Sequence, residues 1–232
     1  MLFLAVFCGS LAEYKLEHVI EHKRAKEYAV SMINDLAADT AELKAYKKYY
    51  NYVNANLDTL LDLLSNHDPK EIPSGKLYWY GLFGGAPRIF IPNDATIQQM
   101  KGSGTLRYFT NKVINQHVAS YDQLCRKMKT YEDHDINVFT EVRKMRAQIF
   151  EFRYNDAANE AFQAYMKNED RIQIDSFIKS NPPLLTYDKL IFNQYVELVR
   201  SRFLDRRSLD AETMLQQAEV LISELRKEYH LH

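Results

Sequence analysis

The sequence predicts an all-α fold: a long N-terminal helix packed with several antiparallel helices into an elongated bundle, with a small irregular or hairpin insertion near 69–104. Three observations predict it. The 232 residues include only 7 glycines and 6 prolines, and ten of these thirteen lie between Pro69 and Gly104, so the rest of the chain lacks helix breakers. An apolar seven-residue stride runs through 29–64. The segments after the irregular window repeat the 3.6-residue period of amphipathic helices.

The elements follow in chain order. Residues 1–12 (MLFLAVFCGSLA) carry no charge, and the first ionisable side chain is Glu13. A spanning helix needs about 20 apolar residues, so 1–12 reads as the C-terminal part of a transmembrane or apolar anchor helix. That helix leaves the bilayer at the polar stretch 13–26, and 13–232 forms a single helical domain. A buried helix end is the soluble alternative. No basic residue precedes the run and no A-x-A-like site follows it, unlike a signal peptide. A lipid on Cys8 is disfavoured by bulky Phe7.

Between 10 and 68 there is no glycine or proline. Ala29, Met32, Leu36, Asp39, Leu43, Tyr46, Tyr50, Val53, Leu57, Leu60 and Leu64 form a heptad seam on a helix of about 40 residues, roughly 60 Å long. Such a seam must be covered, by later helices or by a second copy. Its one polar member, Asp39, could set register or break the helix, and is expected to face water. In the irregular window, Leu77-Tyr78-Trp79-Tyr80 and Arg88-Ile89-Phe90-Ile91 flank Gly81, Gly84 and Gly85 as in a loose hairpin. Asn93 or Asp94 then caps a short helix that stops at Gly102-Ser103-Gly104.

A third helix presents Leu106, Phe109, Val113, His117, Tyr121, Leu124 and Met128 on one face. Asp133-His134-Asp135 reads as a turn, with Asp135 capping a fourth helix that carries Phe139, Val142, Met145, Ile149 and Phe152. Pro182-Pro183 ends a linker. Thr186 caps a helix bearing Ile191, Tyr195, Leu198 and Phe203. The last helix begins near Ser208 and aligns Ala211, Met214, Ala218, Leu221, Leu225 and Tyr229, a stripe suited to lie antiparallel on the long seam.

Composition excludes several functions. A net charge of −1 supplies no global basic field for nucleic acid, and two cysteines are too few for a disulfide framework or a cysteine zinc site. His18-Val19-Ile20-Glu21-His22 matches H-x-x-E-H. On a helix His18 and His22 could chelate zinc with Glu21 as general base, the basis of an alternative zinc-dependent hydrolase reading. The motif sits among Glu13, Lys15, Glu17, Lys23 and Arg24, where a solvated helix face is the simpler reading. There is no Glu-x-x-His for a di-iron bundle. Gly81 to Gly85 lacks the Lys-Ser/Thr of a phosphate loop, Ser103 lacks the nucleophile-elbow pattern, and His117 reads as a hydrogen-bonded histidine of an apolar face. The patch Arg143-Lys144-Met145-Arg146 reads as a solvated face. The densest aromatic cluster, Tyr78, Trp79, Tyr80, Phe83 and Phe90 with Arg88, could line a ligand or partner groove, as in a small-molecule sensor, or pack over bundle ends.

Two stretches carry a family likeness. In 2–39, Lys26-Glu27-Tyr28 is followed by Asp35-Leu36 and Asp39. In 96–111, Met100, Ser103-Gly104, Leu106 and Asn111 form a short helix, a Ser-Gly turn and a following leucine. Together they resemble a family of uncharacterised bacterial proteins with one N-terminal transmembrane helix and an extracytoplasmic helical domain. That resemblance implies a single-pass inner-membrane protein with most of its chain in the periplasm and no assigned activity. The expectation is a non-enzymatic, membrane-anchored interaction module without a cofactor. Its partners would be the membrane through the N-terminus and an unidentified protein, or a second copy through the 29–64 seam.

Overall fold

The computed structural model describes residues 2–85, 88–168, 171–202 and 204–231, with the backbone alone for 2–5 and 204–206. Met1 and Phe203, assigned above to the apolar run and to a helix face, lie outside the described residues. Among the described residues there are eight α-helices and no strand: α1 (Leu2–Asn66), α2 (Ser74–Leu82), α3 (Ala95–Ser103), α4 (Lys112–Ile149), α5 (Phe152–Asn168), α6 (Ile172–Lys179), α7 (Lys189–Arg200) and α8 (Leu204–Tyr229). The all-α expectation holds.

The boundaries differ in instructive ways. α1 has 65 residues rather than about 40, because a lone Gly9 costs a helix only about 1 kcal/mol. The expected hairpin arm Leu77-Tyr78-Trp79-Tyr80 is helical and belongs to α2. Leu77, Tyr78, Trp79 and Leu82 are all buried, and a short run that is apolar on every side cannot be told from a strand by periodicity. α4 runs unbroken through Asp133-His134-Asp135. Asp135 is engaged by a distant arginine instead of capping a helix. The buried face of α4 is also shifted by one residue from that expected, to Ile114, Val118 and Cys125 with Tyr121 and Met128, while Val113 is exposed. Asp188, not Thr186, caps α7, its Oδ1 accepting from Leu190 N (2.7 Å) and Ile191 N (3.2 Å). α3 ends as expected, with Gly104 in the left-handed region at φ 70°, where glycine has no steric penalty.

The chain forms two compact units. The first comprises the described residues of Met1–Ala45, Ile91–Lys127 and Asp210–His232. Its core joins Ala25, Ala29, Met32, Leu36 and Leu43 of α1 to Ile97 and Met100 of α3, Ile114, Val118 and Tyr121 of α4, and the whole expected stripe of α8. α8 lies antiparallel to α4, as shown by Lys127–Asp210 (2.8 Å), His117–Glu224 (2.6 Å) and Asn111–Glu228 (2.9 Å). It is antiparallel to α1 as well, with Lys44–Glu219 at 3.4 Å and the His22 and Tyr229 rings 5.8 Å apart.

The second unit comprises the described residues of Tyr46–Phe90 and Met128–Leu209. Here Tyr46, Tyr50, Val53, Leu57 and Leu60 of α1 are buried with the rings of α2, with Val142 and Ile149 of α4, with Ala158 and Phe162 of α5, and with Phe192, Tyr195 and Val199 of α7. α2 packs on α5 and α6. The 181–183 segment is tied to α2, Ser74 Oγ donating to Asn181 Oδ1 (3.0 Å) and Tyr78 Oη to Pro183 O (2.8 Å). Of the two covers open to the 29–64 seam, the chain's own helices supply one: all but Leu64 of its eleven positions are buried.

Candidate functional site

α1 begins with a largely exposed stretch. Among the described side chains from Val6 to Arg24 none is buried, and the first buried residue is Ala25. Val6, Phe7, Leu11, Tyr14, Leu16, Val19 and Ile20 are 43 to 66 % exposed. They fall on all sides of the helix, so this is not one amphipathic stripe missing one neighbour. No helix among the described residues is long and apolar enough to cross a membrane. The uncharged part, 2–12, is roughly 16 Å of helix at 1.5 Å per residue, about half the hydrocarbon thickness of a bilayer.

The H-x-x-E-H residues lie on this same stretch and do not converge. His18 meets the edge of Tyr14, ring centroids 4.5 Å apart, whereas His22 faces Tyr229. Glu21 is half-buried and lines a shallow hollow with Arg24, Arg107 and Tyr108. Among the described residues no group of three His, Cys, Asp or Glu side chains is placed to hold a metal ion.

The six aromatic-cluster candidates divide. Tyr78, Trp79, Phe83 and Phe90 are core rings, while Tyr80 and Arg88 are half-buried. Trp79 Nε1 donates to Asn56 Oδ1 (3.3 Å) and meets Phe83 edge-on at 5.4 Å; Phe83 in turn meets Phe162 at 5.3 Å. Tyr78 meets Phe150 at 5.0 Å and Phe90 meets Tyr46 at 5.8 Å. Tyr78 has a further task. It donates to Pro183 O and accepts from Glu151 N (2.9 Å), joining two otherwise distant segments.

The structure also assembles two polar centres that the sequence did not announce. In the first unit Asp39, expected to face water, is fully buried. Its Oδ1 accepts from Asn93 N and Nδ2 (both 2.8 Å) and its Oδ2 from Tyr121 Oη (2.5 Å). Burial raises its pKa and outweighs these three bonds, which favour the charged form. One turn earlier, Asp35 Oδ2 accepts from Thr96 N (3.1 Å) and Oγ1 (2.6 Å). Asp94, at the N-cap position of α3, makes no capping bond, so carboxylates of α1 serve the α3 N-terminus, where negative charge is favoured. The Asp35–Thr96 contacts join the 2–39 and 96–111 stretches.

In the second unit Arg202 and Arg207 are fully buried. Arg202 grips Asp135 in a fork, Nε to Oδ1 at 2.7 Å and Nη2 to Oδ2 at 2.8 Å, and donates to Gly84 O. Arg207 reaches Tyr131 O (2.5 Å), Glu132 Oε1 (3.4 Å) and Asp135 Oδ2 (3.7 Å), with its guanidinium 5.8 Å above the Tyr50 ring. Two cations thus meet two carboxylates in the core. Burial pushes the Glu132 carboxyl up, against the pull of Arg207. The signal was present: Ile114, Val118, Tyr121, Cys125, Met128, Glu132, Asp135, Phe139, Val142, Arg146 and Ile149 make an unbroken heptad seam along α4. Its three charged members, like Asp39 in α1, stand where the helix faces inward.

Comparison with protein-family models, with curated proteins and with solved structures gives no match.

Proposed function

We propose that this chain is a non-enzymatic, membrane-anchored helical interaction module, its α1 end seated in the apolar layer of a bilayer and its helical body in the aqueous phase. One observation carries the reading: the start of α1 exposes Val6, Phe7 and Leu11 and has no charge on any face before Glu13. A helix apolar all round belongs in an apolar surrounding, and each fully transferred leucine-sized side chain gains about 1.5–3 kcal/mol. Eleven uncharged residues reach about one leaflet deep, and Tyr14, the first aromatic after Glu13, then lies at the headgroup level that such rings prefer. The inner-membrane, single-pass and periplasmic placement is proposed on the family resemblance alone. The flanking charges, Lys15, Lys23, Arg24 and Lys26 against Glu13, Glu17, Glu21 and Glu27, nearly cancel and set no orientation.

The test is co-sedimentation of the full chain with vesicles of phosphatidylethanolamine and phosphatidylglycerol. The parent is expected in the pellet. A Phe7→Lys, Leu11→Lys double variant is expected in the supernatant with unchanged helicity, because each lysine costs about 2.5–3.5 kcal/mol at the depth of a helix centre. A parent that stays in the supernatant, or a double variant that pellets equally well, refutes the anchor.

A further inference from the structure

Of the three charged members of the α4 seam, Glu132 and Asp135 meet arginines, whereas Arg146 meets no carboxylate among the described residues. A guanidinium has five N–H donors. Here Nη2 donates to the neutral Asn155 Oδ1 at 2.5 Å, and Nε–H, itself buried, finds no acceptor among the described residues. Gly85 makes room for the group, since a Cβ at that position would fall 2.4 Å from Arg146 Nη1. Phe150 lies beneath it, 5.9 Å from ring centroid to guanidinium carbon.

A cleft of about 380 Å³ opens at this place, lined by Arg143, Arg146, Ala147, Phe150, Glu151, Phe152, Asn155 and Leu185. Its walls are fixed by the backbone. Leu185 N donates to Ile149 O at 2.9 Å, and Tyr78 ties Glu151 N to Pro183 O. The end of α4, the start of α5 and the 183–185 segment are therefore held as one frame. Phe152 and Leu185 are 70 % and 57 % exposed, and with Phe150 and Ala147 they give the cleft apolar lining beside its two arginines.

We propose that this cleft binds a small organic monocarboxylate, its carboxylate on the Arg143–Arg146 pair and its apolar body against Phe150, Phe152 and Leu185. A planar guanidinium fork suits a planar carboxylate, and the size falls in the range of small-ligand sites. Glu151 is already paired with Arg153 at 2.5 Å and leaves both guanidiniums free for a ligand carboxylate. An organic acid is favoured over inorganic phosphate because its apolar body covers Phe150, Phe152 and Leu185, surface that phosphate does not use. Burial, the largest influence, and the like charge of Arg143 both disfavour the Arg146 cation, with Tyr195 acting the other way. A bound anion relieves both.

The test is titration of the full chain with 3-phenylpropionate, its neutral amide and inorganic phosphate, followed by calorimetry. The acid is expected to bind with a Kd of about 1 mM or tighter, and the amide and phosphate at least about tenfold more weakly. Arg143→Gln, at an exposed position, and Arg146→Lys, which keeps the charge and loses the fork, are each expected to weaken the acid about tenfold. Their folds are checked by circular dichroism. No saturable binding of the acid, an amide or phosphate that binds as well as the acid, or parental affinity in Arg143→Gln overturns the proposal.

Discussion

Replacing Asp135 by leucine tests the buried ionic centre of the second unit, and the structure sets the size of the effect. Arg202 has a side-chain exposure of 0 % and Asp135 of 6 %, and the two share a fork of 2.7 and 2.8 Å. Removing the carboxylate leaves a desolvated guanidinium whose one remaining acceptor among the described residues is Gly84 O. Breaking a buried pair from one side costs about 3–5 kcal/mol. Arg207 contributes little to the loss, because its closer contacts are to Tyr131 O and Glu132. An Arg202→Met, Asp135→Leu double variant removes both charges and fills the space with apolar atoms. Its cost is the lost bond to Gly84 O, about 1–2 kcal/mol, so the two changes together should cost less than Asp135→Leu alone.

Trp79 provides the assay. It is the only tryptophan and is buried in the same unit, so its fluorescence in a urea titration reports that unit's unfolding without interference from the other. An Asp135→Leu variant within about 1 kcal/mol of the parent would refute the reasoning, and so would a double variant whose loss equals the sum of the two singles, since additivity means no coupling.

Two further outcomes follow from the same packing. Gly84→Ala places a Cβ 2.0 Å from Tyr195 Oη and 2.7 Å from Val199 Cγ2, and Tyr195 is held by its bond to Gly81 O, so thermal melts should show a loss of about 1–3 kcal/mol; Gly102→Ala, in α3 with nothing within 4 Å, should be neutral or stabilising. Burial pushes the Asp122 carboxyl up, but Lys101 at 3.0 Å and Arg126 outweigh it and hold the folded pKa below 3.8. The unfolded state therefore binds this proton more readily, and the stabilisation present above about pH 4 is lost as pH falls through the folded pKa. Urea midpoints by circular dichroism should drop more between pH 5 and pH 3 in the parent than in Asp122→Asn, and equal drops count against the Lys101–Asp122–Arg126 cluster.

The α8 stripe and the α1 seam were legible because each is a long periodic signal, and every member of the stripe is buried. α2 was not, because Leu77 to Tyr80 is apolar on every side and α2 is only nine residues long, too short for period to separate helix from strand. The turn at Asp133-His134-Asp135 was inferred from composition. The α4 backbone stays helical there, Asp135 bonding Arg202 and His134 Nε2 donating to Ser201 O at 2.8 Å. The three glycines 81, 84 and 85 drew attention as a turn. Their role is to admit Phe150, Tyr195 with Val199, and Arg146, a demand set by partners 61 or more positions away, and more than 100 for Tyr195. The aromatic candidates stand close in sequence, and in space they separate: Trp79 meets Phe83, whereas Tyr78 meets Phe150 and Phe90 meets Tyr46. Whether a cluster lines a groove or fills a core depends on what else arrives, and Phe162 and Phe150 arrive from elements far along the chain.

Charged residues at inward seam positions were the least legible feature and the one with most to say about specificity. A heptad seam of leucines alone tolerates a slip by one repeat, because each apolar layer resembles the next. Asp39 does not tolerate it. Its three donors come from Asn93 and Tyr121, on two other segments of the first unit, and a slipped α1 leaves a buried carboxylate and a tyrosine hydroxyl without partners, at about 1–3 kcal/mol for each neutral group and more for the charge. Asp135 and Glu132 impose the same constraint on α4 in the second unit, through Arg202 and Arg207. The apolar seams supply the drive to pack, but they do not distinguish one layer from another. The buried carboxylates make one register cheaper than its neighbours, so the polar residues that look like flaws in the seam are what select a single arrangement of the helices within each unit.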